Sequence, residues 1–354
     1  MQAPFYDPKK SYDDNYEDGP FGGFKDGKEL LEKGDPKYDF LGQKVYLPFG
    51  IPAGPLINSN YCQGAFRMGF DIAVYKTVRS DIFPCHPFPN VLSVKLDGDL
   101  TLERAQTPLV ANSDYKKPIS ITNSFGVPSK ASSVWQADVK KAITYAKKGQ
   151  VLVLSFMGTV KENQTPEEFV ADYALAAKQA MKTGAKILET NLSCPNIGNE
   201  GLVCYNLKMT QDVSKAIRKE IGNTPLILKV GYYKNEADLK KVAEIAEKYA
   251  QAVSLINTIQ AEVRDQEGNQ ALPGKNRLRS GVCGTGIKWA GLEMVKKLKK
   301  IRDNIGAKFM IIGVGGVMKP ADYYEYVKAG ADSVMSATGA MWDPYLVKEI
   351  KEKL

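Results

Sequence analysis

Short apolar runs alternate with longer amphipathic stretches along most of this chain, and this alternation restricts the available folds more than any other feature. Eight runs have the β-branched, apolar character of strands: PFGIPAG, DIAVYKTV, VLVLSF, AKILETN, PLILKV, AVSLIN, KFMIIGV and DSVMSA. Segments of helical period lie between them, such as PEEFVADYALAAKQAMKTG and NEADLKKVAEIAEKYA. Several of these segments begin with Asn, Pro or acidic residues and end on Gly, as helices do.

The continuous apolar character of the runs indicates strands that are buried on both faces. Alternation of strands with helices implies parallel pairing through crossover helices. Eight such units favour an α/β fold of the closed (β/α)8 TIM-barrel type. An open doubly wound sheet is the alternative, but the G-x-G-x-x-G turn usual after its first strand is missing.

Two segments do not fit the repeating unit. Residues 1–45 are rich in Asp, Gly, Lys, Pro and Tyr without a sustained period, which predicts an irregular N-terminal extension on the surface. Residues 79–117, rich in Pro and Asp, follow the second strand and predict an insert over the barrel mouth. We therefore expect one barrel domain, residues 46–354, preceded by the extension.

Composition restricts the partners and the location. The formal charge of +8 comes from lysines interleaved with acids along helices, which indicates solvated faces rather than a nucleic-acid partner. No apolar run approaches the roughly 20 residues that span a bilayer, and the N-terminus lacks the apolar core of a signal peptide. We expect a cytoplasmic protein without a membrane partner. Five cysteines without a CxxC pair argue against a disulfide frame and a cysteine metal cluster. The single histidine, His86, argues against a histidine metal site, and we predict that it lies in a loop.

The chemistry of a (β/α)8 barrel is assembled at the carboxyl ends of its strands. The predicted strands end here in Ala53-Gly54, Lys76-Thr77, Asn191, Lys229, Asn257-Thr258 and Gly313-Val314-Gly315-Gly316. Taken singly, a strand-end lysine is usually a surface charge and an asparagine a turn residue. Taken together, these groups would be costly to bury without a ligand, so we expect a polar ligand at this mouth.

The glycine-rich ends of the seventh and eighth runs predict a phosphate site. IIGVGGV offers the backbone N–H groups of Gly315 and Gly316 before a helix near Pro320, and SATGAM adds Ala337 and Thr338. A tight turn is the alternative for the first motif taken alone. Lys229, on the fifth strand, can face an anionic ring, so the set suggests flavin mononucleotide (FMN), whose reduced form a nearby positive charge stabilises.

Six motifs along the chain resemble those of the class 1 dihydroorotate dehydrogenases: YKT at 75–77, NSFG at 123–126, NLSCPN at 191–196, LKV at 228–230, IIGVGGV, and Ala337-Thr338. The resemblance covers about residues 45–354, and NLSCPN is highly specific in this setting. It implies an FMN-containing (β/α)8 barrel that oxidises dihydroorotate to orotate in pyrimidine biosynthesis. The cysteine of NLSCPN, Cys194, would then be the catalytic base.

The reaction is consistent with such a base. Oxidising a C–C bond beside a carbonyl removes a proton from one carbon while a hydride leaves its neighbour for flavin N5, so a base must face the flavin across the substrate. Without a spare histidine, a thiolate held by a cation such as Lys76 suits this role. The alternative for Cys194 is a small buried hydrophobe, as most free cysteines are. We expect Cys204 and Cys283 to be incidental.

Within this resemblance we expect asparagine amides to hold the substrate ring and backbone N–H groups to receive its carboxylate. The expected substrate-binding residues are Lys76, Asn123, Phe125, Gly126, Val127, Asn191, Asn196, Asn257 and Thr258. The expected cofactor-binding residues are Ala53, Gly54, Lys76, Thr77, Asn123, Asn191, Lys229, Gly284, Gly315, Gly316, Ala337 and Thr338.

Several features depart from the family pattern, among them Ser129 after NSFGVP, Thr258 where Ser is common, the long insert, and SGVCG at 280–284. Asn-Thr at 257–258 resembles the dihydropyrimidine dehydrogenase barrels, so a dihydrouracil-type substrate is the alternative, as is a phosphate-binding barrel without redox chemistry. Fumarate, quinone and a partner flavoprotein are the alternatives for the electron acceptor. The lack of a membrane-docking helix before the barrel disfavours quinone. Stand-alone relatives are often homodimers, so we expect a homodimer.

Overall fold

The computed structural model describes residues 3–30, 32–116, 119–194 and 201–353. Its strands, in chain order, are β1 Tyr38–Phe40, β2 Gln43–Val45, β3 Phe49–Ile51, β4 Ile72–Arg79, β5 Val91–Val94, β6 Leu109–Asn112, β7 Ser120–Asn123, β8 Val151–Met157, β9 Ile187–Asn191, β10 Leu226–Lys229, β11 Ala252–Leu255, β12 Ile259–Arg264, β13 Arg279–Gly284, β14 Met310–Val314 and β15 Ser333–Met335. Its α-helices are α1 Tyr12–Asp18, α2 Gly23–Asp26, α3 Ser59–Arg67, α4 Ser132–Thr144, α5 Pro166–Met181, α6 Leu207–Ile221, α7 Glu236–Tyr249, α8 Lys288–Ile305, α9 Pro320–Ala329, α10 Thr338–Trp342 and α11 Leu346–Lys351.

Eight parallel strands close into a barrel in the order β3, β4, β8, β9, β10, β11, β14 and β15, with β15 pairing back to β3. The eight apolar runs of the sequence are these eight strands, so the predicted (β/α)8 fold is confirmed. The joining helices begin and end at the expected signals. Thr165 and Glu168 form a capping box at the start of α5, and Gly306 ends α8 in the left-handed conformation.

The inside of the barrel changes from apolar to polar along the strands. Branched side chains form an inner core at alternate strand positions: Ile72, Val74, Val151, Val153, Ile187, Ile227 and Ile312. Continuing the same alternation toward the carboxyl ends, the next buried side chains are Ser155, Glu189, Asn191, Lys229 and Ser254. The carboxyl half of the barrel interior is therefore lined by polar groups that are almost fully buried.

The amino-terminal end of the barrel is covered by the hairpin of β1 and β2. The two strands pair antiparallel, and Phe40 and Val45 belong to the same buried cluster as the inner barrel residues. Leu47, between the hairpin and β3, donates its N–H to Asp71 Oδ2 over 2.5 Å. Because Asp71 directly precedes β4, this bond places the hairpin at the amino ends of the strands.

A second, five-stranded sheet closes on itself in the order β12, β13, β7, β5 and β6. Two of its strands come from the predicted insert, one follows the insert, and two follow β11. The sequence analysis missed this sheet because its strands are short and their partners lie far apart in the chain, as in the pairing of Asn123 with Gly281. Residues of four of these strands, β5, β7, β12 and β13, line the cavity described below, so the sheet lies over the carboxyl mouth of the barrel.

The N-terminal segment packs on the barrel through its aromatic side chains. Phe5, Tyr6, Tyr12 and Phe24 are buried within the main hydrophobic cluster. Among the described residues, no helix has both the length and the apolar character needed to cross a bilayer.

Phe40→Ala should lower the free energy of unfolding by about 3 to 5 kcal/mol, because it leaves a cavity at the covered end of the barrel. The matched control is Tyr38→Ala on the same strand, where the side chain is 46% exposed and the expected loss is about 0.5 kcal/mol or less. Urea unfolding followed by circular dichroism measures both changes. Equal losses for the two variants would contradict the role of the hairpin as a buried cover.

Candidate active site

A cavity of about 960 Å³ opens at the carboxyl ends of the barrel strands. It is lined by strand ends, by the second sheet and by the N-terminal segment. Most of the residues that the sequence analysis selected line this cavity: Ala53, Gly54, Lys76, Thr77, Asn123, Phe125, Gly126, Val127, Asn191, Lys229, Asn257, Thr258, Ala337 and Thr338. A small recess of about 30 Å³ is lined by the other three glycines, Gly284, Gly315 and Gly316, and shares Asn257, Ala337 and Thr338 with the cavity.

Two selected residues, Asn196 and Cys194, remain. Asn196 lies outside the described residues. Cys194 is 98% buried and does not line the cavity, although Asn191 and Ser193 on the same loop do.

Lys229, at the end of β10, is the most deeply placed charge of the site. Its Nζ donates to the carbonyl of Ala53 over 2.9 Å, which joins the ends of two strands across the barrel. Burial lowers the pKa of Lys229, and the charge of Glu189 opposes that shift. Glu189 lies two residues before Asn191, which pairs with Lys229 in the register of β9 and β10.

Glu189 is itself fully buried, and burial raises the pKa of its carboxyl group. Neither carboxyl oxygen makes a hydrogen bond of normal geometry among the described residues, although the nearby Ser155 hydroxyl lowers the pKa of the carboxyl group. The nearby charge of Lys229 lowers the pKa of Glu189, so each group favours the ionised form of the other. The sequence analysis did not select Glu189, although its place two residues before Asn191 on an inward-facing strand was a usable signal.

Lys76 lies in β4 where the pairing with β8 shifts register between Tyr75 and Val78. Its Nζ donates to the carbonyl of Thr77 over 2.9 Å and to that of Pro128. Burial, with a smaller contribution from the charge of Arg79, lowers the pKa of Lys76 to about 7. This lysine therefore changes its charge near neutral pH, unlike a lysine in water.

The loop from Asn123 to Val127 is held in place by Arg79, another residue that the sequence analysis missed. The guanidinium donates to the carbonyls of Gly126 and Val127, in both cases over 2.9 Å. These two hydrogen bonds fix the loop from its outer side. A polar residue three positions after Lys76 was the available signal, but it fell at the start of the insert.

Gly126 is required by a close approach as well as by its conformation. Its φ is +74°, and a Cβ at this position would lie 2.5 Å from Nε2 of His86. His86, predicted to be a loop residue, is therefore part of the cavity wall and touches the loop that we selected as a carboxylate seat.

The recess contains the Gly315-Gly316 turn from which the sequence predicted a phosphate site. Gly316 has a φ of +66°, and a Cβ there would lie 2.6 Å from Cβ of Lys288 and 2.8 Å from its backbone. Tyr326 Oη donates to the carbonyl of Gly315 over 2.6 Å, and α10 begins at Thr338 beside it. A side chain at Gly316 would therefore clash with Lys288, so this turn requires glycine.

Cys194 forms a buried cluster with Tyr173 and Asn191. Its Sγ lies 3.0 Å from Tyr173 Oη and 3.2 Å from the carbonyl oxygen of Asn191. Burial raises the pKa of the thiol to about 12, while Tyr173 and the charge of Arg79 lower it. The cation that acts on this thiol is Arg79. From the sequence we had expected Lys76 in this role.

The fold and the cavity define a barrel enzyme that collects lysines, amides and glycine-rich turns around one ligand site. The family model for dihydroorotate dehydrogenase matches residues 105–354. Dihydroorotate dehydrogenase of Dictyostelium discoideum is 37% identical over 362 residues, which cover 98% of this chain and 96% of that protein. The chain therefore belongs to the dihydroorotate dehydrogenase family of oxidoreductases, and the predicted class 1 resemblance is confirmed.

Two further comparisons are more partial. The catalytic subunit of dihydroorotate dehydrogenase B (NAD(+)) from Caldicellulosiruptor saccharolyticus is 32% identical over 191 residues, 53% of this chain and 58% of that subunit. The crystal structure of DHODH from Eimeria tenella in complex with ferulenol has a TM-score of 0.69 at 17% identity, and the match covers 93% of this chain and 87% of that one. The second comparison supports the fold.

Glu189→Leu should lower the free energy of unfolding by about 3 kcal/mol, because it leaves the Lys229 ammonium buried without an opposing charge. Glu189→Leu combined with Lys229→Met should recover most of that loss. Urea unfolding of both single variants and the double variant gives the coupling between the two positions. Losses that simply add would show that the two charges do not stabilise each other.

Proposed function

We propose that this protein catalyses the FMN-dependent oxidation of dihydroorotate to orotate in pyrimidine biosynthesis. The observation that carries the proposal is the convergence of Lys76, Lys229 and three asparagine side chains on one cavity in a member of this family. Buried cations and amides in this number require a polar, anionic ligand to satisfy them. A flavin with a phosphate and a pyrimidine carboxylate has both properties.

The residues present fit FMN. At Gly54, a Cβ would meet nothing within 4 Å, so the cavity beside Ala53 is open enough for a flat ring. Lys229 would support the N1–C2 edge of that ring, and Gly315, Gly316 and Thr338 would hold the phosphate. When bound, FMN supplies the acceptor for the hydride that leaves the substrate.

The substrate would lie between the ring site and the loop after β7. Asn123, Asn191 and Asn257 offer donors and acceptors to the alternating N–H and C=O groups of a dihydropyrimidine, and Asn196 would join them. The backbone N–H groups of Phe125, Gly126 and Val127, with Lys76 nearby, would receive the carboxylate. Thr258 completes this set, and it is also the residue that favours the dihydrouracil alternative.

Cys194 is the proposed base, although it lies behind the cavity wall, next to the lining residue Ser193, in this structure. The proton leaves the substrate carbon next to the carbonyl and goes to Sγ, while the bonding electrons form the new double bond and the hydride leaves the neighbouring carbon. Arg79 and Tyr173 support this role, because both favour the thiolate. Burial opposes it, so the reaction depends on ligand binding or on pH to deprotonate the thiol.

Fumarate as electron acceptor, a homodimer and a cytoplasmic location are the remaining parts of the proposal. The relative matched over nearly its full length is named dihydroorotate dehydrogenase, whereas the relative from Caldicellulosiruptor saccharolyticus, matched over about half of this chain, is named a catalytic subunit. Stopped-flow reoxidation of the reduced protein by fumarate, quinone and ferricyanide tests the first part, and light scattering tests the second.

Orotate should bind to the purified flavoprotein at least two orders of magnitude more tightly than uracil, because uracil lacks the carboxylate. Each charge-assisted hydrogen bond contributes about 1.5 to 3 kcal/mol, and the carboxylate makes at least two. Titration of the flavin absorbance with each ligand measures both dissociation constants. Comparable constants would favour the dihydrouracil alternative, and a colourless protein after incubation with FMN would exclude flavin chemistry.

The pH dependence of orotate binding provides the control. Because the pKa of Lys76 is lowered to about 7, this side chain is charged below pH 7 and neutral above it. Orotate affinity should be constant in mild acid and fall by up to about tenfold per pH unit above pH 7. Lys76→Met should bind orotate weakly and without this dependence.

Cys194→Ala should reduce turnover by about two orders of magnitude or more while flavin and orotate still bind. Because burial raises the pKa of Cys194 to about 12, the turnover of the wild type should keep rising from neutral to alkaline pH. Steady-state kinetics between about pH 6 and pH 10 measure both effects. Cys204→Ala is the matched control and should keep near wild-type turnover. The reverse ranking would show that Cys194 is the wrong thiol and that Cys204 is the base.

A further inference from the structure

The N-terminal segment of residues 3–19 forms part of the cavity wall. Tyr6 and Tyr12 both line the cavity, at 3% and 6% exposure. The family model begins at residue 105, so it gives no role to either tyrosine. A segment that we expected only to lie on the surface therefore supplies two aromatic side chains to the site.

The segment is anchored to the barrel by buried hydrogen bonds and by stacking. Phe5 stacks on Phe24 with ring centroids 4.0 Å apart, and its N–H donates to the carbonyl of Met341 over 3.1 Å. Tyr61 Oη donates to the carbonyl of Asn15 over 2.9 Å, and Asn58 Nδ2 donates to that of Tyr16 over 2.8 Å. These contacts fix the position of α1 and, with it, of the Tyr12 ring.

Tyr12 touches two parts of the proposed carboxylate seat at once. Its ring centroid lies 5.8 Å from Nζ of Lys76, in a cation–π arrangement. The same ring lies edge-on to Phe125, with centroids 6.1 Å apart, and Tyr6 packs on Phe125 from 5.8 Å. The ring of Tyr12 thus lies between the ammonium and the aromatic side chain that begins the Phe125–Val127 seat.

We propose that Tyr12 is a positioning residue for the anion site, whose ring holds the Lys76 ammonium beside the Phe125–Val127 backbone and closes that side of the cavity to water. The proposal rests on the proposed function, because it concerns the seat of the substrate carboxylate. The ligand class is a planar ring that carries a carboxylate.

The physical reason is the balance of forces on Lys76. The groups that face it are the carbonyls of Thr77 and Pro128, the guanidinium of Arg79 from its own strand, and the Cys85 thiol from the insert. Arg79 repels the ammonium and burial disfavours its charge, so the side chain is balanced between its charged and neutral forms. The negative face of an aromatic ring favours the charged form, and an aliphatic side chain in its place does not.

The test measures the charge of Lys76 without a substrate. Competitive acetylation of the purified full-length protein with acetic anhydride across pH, read at Lys76 by mass spectrometry, gives the midpoint of its titration. Tyr12→Leu should lower this midpoint by about one pH unit, and Tyr12→Phe, which keeps the ring, should leave it unchanged. Orotate affinity in Tyr12→Leu should then fall about tenfold at pH 8 and stay near wild type at pH 5, where Lys76 is charged in both proteins.

Tyr16→Leu is the matched control. Tyr16 lies on the same helix, packs against Nζ of Lys130 at 5.0 Å and against the Tyr12 ring with centroids 6.1 Å apart, and does not line the cavity. Loosening of the segment would therefore shift the Lys76 midpoint in both leucine variants. Loss of the cation–π contact would shift it in Tyr12→Leu alone.

A second replacement guards against a folding defect in Tyr12→Leu. Pentafluorophenylalanine at position 12 keeps the size of the ring and removes its negative face, so it should lower the midpoint as leucine does. An unchanged midpoint in this protein, or an equal shift in Tyr16→Leu, would overturn the proposal. A wild type that binds no orotate would refute the proposed function while the acetylation midpoints still decide the role of Tyr12.

Discussion

The structure depends on a balance of charges in the carboxyl half of the barrel, where Lys229 and Glu189 are both removed from water. Neither charge would be tolerated alone at this depth, because an isolated buried ion costs several kcal/mol. Lys229 is held by the carbonyl of Ala53 and by the charge of Glu189, which leaves its ammonium directed at the cavity. A positive charge is thereby built into the floor of the site before any ligand arrives, which is the preorganisation that the proposed flavin would require.

The walls above that floor come from segments outside the barrel repeat. The second sheet and the N-terminal segment cover the mouth and reduce the access of water to Lys76, and this burial is the main cause of its lowered pKa. Arg79 fixes the loop of Gly126 and Val127 from behind and at the same time acts on the thiol of Cys194. One arginine therefore contacts the loop of the proposed carboxylate seat and also acts on the thiol of the proposed base.

The sequence predicted the barrel because each strand and helix signal is local. Apolar runs, capping residues and terminal glycines specify their own elements, and the parallel connection follows from their alternation. The strand-end residues were predictable for the same reason, since Lys76, Asn191 and Lys229 each end a recognisable run. What could not be read was the second sheet, because β7 and β13 find each other only after the barrel has brought distant segments together.

The sequence alone therefore determined the fold class, the family resemblance and the strand-end groups of the cavity, such as Lys76, Asn191 and Lys229. The tertiary structure decided how those groups act on one another, because burial and distance set their charges. It turned Cys194 toward Tyr173, gave the neighbouring cation role to Arg79 instead of Lys76, and placed Tyr12 of the N-terminal segment against Lys76. The sequence specifies each residue type, but packing decides its neighbours and its dielectric surroundings. These in turn set its protonation.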